Sequence, residues 1–285
     1  MGVNNGLPAG NGFGNLYANG TLDLNGSSEA VHGLFGSGVV DNTSASAATL
    51  TVGQNGVSTK FTGLIQNTGA ALNLVKTGAG TFALTTANTY TGNTLINSGT
   101  LALTGSGDLA GSSNILITGG AMLDVSAKST TFALNGRTLG NSSVGAVLNG
   151  NCDDSAGGLS LVSDGVNPAL FQTNGTLTLS TGTTVQVNNT GAPLAAGRYP
   201  LIAAATTGNN VGLVNGSLQM VTVTGNGAAG VASLQFNSSG GLDLVVTVAS
   251  NPTSIGYNFT GNALTLTWPA DHQGWIVQSN AVSLA

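Results

Sequence analysis

The chain has 285 residues, enough for one large domain or two modest ones. Only 5% of them are charged, Gly fills 45 positions and the formal net charge is −5, whereas ordinary globular chains carry roughly 25% charged residues. The scarcity of Glu, Lys and Arg excludes a helical fold, and five scattered basic residues (Lys60, Lys76, Lys128, Arg137 and Arg198) exclude a nucleic-acid partner.

A mean hydropathy of +0.25 with alternating apolar residues argues against disorder. No apolar run approaches the ~18–20 residues of a membrane helix, so the chain is not expected to span a membrane. After Met1 comes GVNNGLPAGNG, which lacks the basic start and apolar core of a secretory leader. Either a leader has been removed or the chain belongs to a longer one. The single cysteine, Cys152, excludes an internal disulfide framework.

From the N-terminus, Gly- and Asn-rich residues 1–20 lead into a first strand in LYANGTLDLNG. VHGLFGSGVVDN (31–42) and ATLTVGQNG (48–56) continue the pattern, and 58–109 is its most regular stretch. There one phrase returns about every twenty residues, as GTFAL (80–84), GTLAL (99–103) and GAMLDV (120–125). Relatives of the phrase stand at GTLDL (20–24), GTLTL (175–179) and GLDLVV (241–246). A short alternating run at this period predicts a solenoid, because one copy cannot bury its apolar face alone and stacked copies can. Leu22, Leu24, Phe82, Leu84, Leu101, Leu103, Leu123 and Val125 are the predicted inward residues. Recurrent Asn-Gly pairs suit tight corners, since both residues tolerate positive φ. Stacked Asn or Thr at the corners should form ladders.

Segment 143–174 reads as less regular, with a longer loop. From 175 the strands lengthen and the repeat blurs, as a terminal cap requires. Asn251-Pro252-Thr253 reads as a linker, and 255–285 carries both tryptophans in two or three strands, too few for an independent core. The predicted class is all-β: a right-handed parallel β-helix with a less regular C-terminal cap and a small β module at the end. The divisions are 1–174 for the β-helix repeats, 175–250 for C-terminal coils and cap, and 251–285 for a short, incomplete module. About 240 residues at ~20 per coil, stacked ~4.8 Å apart, predict a rod roughly 55 Å long.

The stretch LVKTGAGTFALTTANTYTGNTLINSGTLAL (74–103) resembles the autotransporter-associated β-strand repeat, also called the passenger-associated transport repeat. Lys76-Thr77-Gly78, Gly80-Thr81, Leu84, Asn88-Thr89-Tyr90-Thr91-Gly92, Thr94, Ile96, Asn97 and Gly99-Thr100-Leu101 carry the resemblance. Weaker copies extend it over 20–140. The resemblance implies a bacterial protein that is extracellular or at the cell surface, with a β-helical stalk. The ending LTLTWPADHQGWIVQSN also looks like the last module of large, repeat-rich secreted bacterial proteins. No outer-membrane barrel follows it here, and a neighbouring copy is expected to complete its final strands.

Candidate chemistry is thin. GNGAAG (225–230) matches the dinucleotide pattern but is followed by VASLQF, another strand, so it reads as a turn. Cys152-Asp153-Asp154, with Asp164 nearby, has too few ligands for a metal and reads as a solvated loop. Asp271-His272 lacks a nucleophile, and His32 reads as a wall residue. Asp23, Asp124 and Asp243 all fall in the repeat phrase and could align as a row, the one arrangement that would favour a polysaccharide-active enzyme.

No catalytic residue, metal site or cofactor is therefore expected, and the chain is read as a non-enzyme. The first expectation is a secreted structural subunit whose partner is itself, assembling into a filament or surface layer. Tyr257, Phe259, Trp268 and Trp275 are its candidate contacts. The alternative is a monomeric adhesin-type stalk that binds a cell-surface glycan or another surface. A polysaccharide-active β-helix enzyme is the third.

Overall fold

The computed structural model describes residues 14–204, 210–214, 221–248, 256–260 and 263–267. Among the described residues every regular element is a strand, and almost all are paired in parallel. Each coil of the chain visits three faces in the same order.

Face 1 begins with Thr21–Asp23, Val39–Asp41 and Leu64–Ile65. It passes through the single bridges Ala87↔Asp108 and Gly105↔Lys128 and resumes at Phe132–Ala133, Cys152–Asp154, Thr176–Ser180 and Asn210–Val214. Face 2 is a continuous stack of nine strands from Glu29–Val31 to Val221–Gly225. Face 3 stacks Thr59–Phe61, Thr81–Leu84, Thr100–Leu103, Met122–Asp124, Ala146–Asn149, Leu170–Thr173 and Gly197–Ala204 in parallel. It then ends on two antiparallel strands, Leu242–Thr247 and Val231–Phe236.

Alternation explains the core. Along face 2 the register runs Leu50↔Leu74↔Thr94↔Ile115↔Leu139↔Leu159↔Val185↔Val221. Successive partners lie 24, 20, 21, 24, 20, 26 and 36 residues apart, so coil length varies while the inward column is kept. With nine strands on face 2, the stack is about 40 Å long at ~4.8 Å per strand. That is shorter than the expected rod, because the coils are longer than twenty residues and the last strands turn back as a hairpin.

Of the eight residues predicted to face inward, seven are buried and Leu22 packs partly exposed against the core. The phrases at 80–84, 99–103 and 120–125 stack in register on face 3. The copies at 20–24 and 175–179 lie on face 1 instead, and 241–246 lies in the antiparallel pair. Alternation records in and out, not which side of the coil a strand occupies.

Two expectations fail. Segment 143–174 holds no long loop: it supplies Ala146–Asn149, Cys152–Asp154, Gly158–Ser163 and Leu170–Thr173, in register with the coils on either side. Cys152-Asp153-Asp154 is a face-1 strand, with Cys152 and Asp154 fully buried. Its acidic letters masked an ordinary alternation.

The corners are sealed by buried asparagines. Asn88 accepts from the Ile65 N–H and donates to the Thr86 and Asp108 carbonyls. Asn42, Asn141 and Asn189 make the same kind of three-way contact between coils. Each replaces strand pairing where the backbone turns and its N–H and C=O groups would otherwise be orphaned. At another corner Gly53, Gly78 and Gly99 stack with positive φ, and a Cβ on Gly78 would fall on the Gly53 carbonyl oxygen.

Candidate functional site

A concavity lies on the outer side of face 2, between successive coils. Two outward columns form it. One runs Asn73, Asn93, Asn114, Thr138, Gly158, Thr184 and the other Leu95, Leu116, Gly140, Ser160, Gln186. In the first column the asparagines form a ladder: the Asn93 N–H donates to Asn73 Oδ1 at 2.9 Å, and Asn114 Nδ2 donates to Asn93 Oδ1 at 3.0 Å.

The ladder stops after Asn114. Gly158 then leaves a dip of about 330 Å³, with Leu116 at one end and Thr184 and Gln186 at the other, and Gly140 pairs with Ser160 in the adjoining column. Gly140 is sterically required, whereas Gly158 lies close to a side chain. A Cβ on Gly140 would fall on the Ser160 carbonyl oxygen, and one on Gly158 would come within 2.7 Å of Thr184 Oγ1. The Thr138, Ser160, Thr184 and Gln186 side chains make no hydrogen bond within the described residues. No charged residue lines the dip.

Several charged groups are used elsewhere, and structurally. Lys76 sits fully buried in a face-2 column between Val52 and Ile96. Its Nζ donates to the carbonyls of Thr77, Gly78 and Ser98 at 2.6, 2.8 and 3.1 Å. Burial disfavours its charge and lowers its pKa to about 8. Asp108 is gripped by Lys128 and Arg137, each at 3.1 Å, and the Arg137 guanidinium lies 4.9 Å from the Phe132 ring centre. Arg198 pairs with Asp243 at 3.2 Å.

Asp154 is the exception. It is fully buried and neither carboxyl oxygen has a hydrogen-bond partner among the described residues. Desolvation, reinforced by the charge of Asp153, pushes its pKa up to about 8. Burial likewise pushes the Cys152 thiol up, so it is an inert core group.

The row of carboxylates that the repeat phrase allowed does not form. Asp23 aligns with Asp41 on face 1, Asp124 lies on face 3, and Asp243 sits in the antiparallel pair. Each is bound by local donors: Asp23 by Thr43, Asp124 by Asn149 and Ser126, Asp243 by Asn237 and Arg198. Residues 225–230 form the turn between strands Val221–Gly225 and Val231–Phe236, as their sequence predicts. His32 is buried in the wall. Tyr257 and Phe259 fall in Gly256–Thr260, which pairs with Ala263–Thr267 as an antiparallel hairpin. Trp268, Trp275 and the Asp271-His272 pair lie outside the described residues.

The Passenger-associated-transport-repeat family matches residues 74–103.

Residues 74–103 carry a passenger-associated-transport repeat.

Over 172 residues it is 32% identical to the adhesin BmaC autotransporter of Brucella suis biovar 1 (strain 1330). That alignment covers 58% of this chain and 5% of the relative, so the chain spans a small fraction of the protein it matches. No solved structure matches. The passenger repeat and the adhesin relative make this an extracellular or cell-surface protein.

The geometry explains the passenger repeat's letters. Its Lys is the inward Lys76, and its Gly78 and Gly99 belong to the stacked corner. Its Asn is the corner seal Asn88, and its Tyr is Tyr90, the largest fully buried side chain among the described residues. Tyr90 Oη lies 2.6 Å from Thr94 Oγ1, which lies 2.8 Å from Ser112 Oγ, so a Thr in a leucine column is satisfied from within. Sequence reasoning missed the face-2 dip. Its signal is Gly158, which falls between Thr138 and Thr184 in an outward column only once the register is known.

Proposed function

We propose that this passenger-repeat chain is a non-enzymatic stalk of an adhesin-type surface protein, and that attachment uses its outer faces. The observation that carries the reading is the separation of roles. Ionic groups and buried amides hold the coils, while the face-2 dip is lined by neutral polar side chains with unused hydrogen-bonding capacity. An adhesin needs a stiff element and a contact surface, and no reacting group. The adhesin relative supports the same reading.

Beads coated with the full chain test it. They should adhere to epithelial monolayers several-fold above albumin-coated beads, and adhesion at the albumin level would sink the proposal.

Self-assembly is the second reading. It is favoured by Met122, Val147, Phe171 and Ala203, which align as a half-buried outward apolar stripe on face 3. Negative-stain electron microscopy at neutral pH separates the two: regular fibres support assembly, and single short rods remove it.

A further inference from the structure

We infer that the face-2 dip is a binding site for a neutral oligosaccharide. The inference rests on the adhesin-type reading and names the ligand class and the residues of one contact surface.

Shape comes first. At about 330 Å³ the dip lies at the lower end of the roughly 300–1,000 Å³ of ligand clefts. It is a short, open trough, suited to one or two sugar rings lying along the sheet. It exists because Gly158 withholds a side chain where its column neighbours present Thr138 and Thr184, with Leu116 and Ser160 alongside.

Chemistry comes second. Sugar hydroxyls need donors and acceptors that are not already engaged, together with an apolar surface for the C–H face of the ring. Asn73, Asn93 and Asn114 form a ladder and spend bonding capacity on one another. Thr138, Ser160, Thr184 and Gln186 spend none within the described residues. Leu116, half-buried beside them, supplies the apolar surface.

Charge decides the class. No cationic side chain lines the dip, and four of the five basic residues in the chain are engaged at corners or in ion pairs. With a net charge of −5, an anionic sugar would be repelled and unpaired, whereas a neutral one loses nothing. So open a site binds one ligand weakly, and a surface displaying many copies raises the effective affinity.

The test is saturation-transfer NMR and calorimetry on the full chain. The probes are maltotriose, cellotriose and N,N′-diacetylchitobiose, with sialyllactose as the anionic comparison. At least one neutral probe should bind and sialyllactose should not. Ser160→Trp, an outward substitution that fills the dip, should abolish binding, whereas Thr81→Trp on face 3 should leave it intact. The double variant Thr184→Ala/Gln186→Ala removes hydrogen-bonding groups without bulk, so it guards against a Ser160→Trp protein that fails to fold. It should weaken binding roughly 2–10-fold per lost bond.

No binding of any neutral probe, unchanged affinity in Ser160→Trp, or preference for sialyllactose would overturn the inference. Bead adhesion separates this from failure of the broader reading. Coated beads that adhere equally well with wild type and Ser160→Trp retain the adhesin and lose the site.

Discussion

Asp154 and Lys76 show how a chain so poor in charge can still respond to pH. The Asp154 carboxyl is raised to about 8 in the fold, from an ordinary 3.8. Between those values the folded chain holds a proton that the unfolded chain has released, so stability falls as pH rises through that window. Lys76 is lowered to about 8 from 10.5. Between those values the unfolded chain holds the extra proton, so stability rises with pH. The two windows meet near pH 8, where urea midpoints should pass through a minimum. Asp154→Asn should remove the descending limb and Lys76→Met the ascending one. Wild-type and variant midpoints from pH 4 to 10 check this, and an unchanged descending limb in Asp154→Asn would refute the assignment.

At the scale of the element, strand and corner carry different loads. Leu103 is fully buried on face 3, and Thr100 on the same strand points outward. Leu103→Ala should cost about 2–5 kcal/mol and Thr100→Ala less than about 0.5 kcal/mol. Comparable losses at the two positions, measured by urea denaturation, would contradict the register. The corner is less tolerant. Gly78 combines a φ of 69° with backbone contact to the next coil, so Gly78→Ala must distort two coils and should exceed the ~1 kcal/mol of an ordinary Gly-to-Ala strain.

Much of this element-level detail was legible. The recurring phrase located its inward residues, and the passenger-repeat letters marked Lys76, Asn88 and Tyr90 as special. Their roles were not legible, because each acts on a carbonyl, amide or hydroxyl that stacking brings near. Lys76 reaches Ser98, 22 residues away, and Asn88 reaches Ile65, 23 residues away.

At the scale of the whole molecule, stability rests on a continuous aliphatic column and ladders of backbone hydrogen bonds. The described residues hold three ion pairs, two of them sharing Asp108. The two at Asp108 are largely buried and little screened by salt, the more exposed Arg198–Asp243 pair is worth little, and packing is not screened. The urea midpoint should therefore change little between 0.05 and 1 M NaCl at pH 6. A large fall would show that electrostatics, not packing, holds the rod. Because each coil touches mainly its neighbours, destabilising variants should act locally.

By itself the sequence determined the all-β class, the approximate coil length and the in-or-out sense of the strands in the repeat phrase, because these follow from a period of two residues and from turn chemistry. Only the tertiary structure decided which face each phrase occupies. GTLDL and GTFAL look alike yet lie on faces 1 and 3. Coils of unequal length keep the inward columns aligned by absorbing the difference at corners, and corner geometry depends on the coils above and below. For the same reason the carboxylates scattered, the acidic Cys152–Asp154 segment went inside, and Gly158 opened a dip between Thr138 and Thr184.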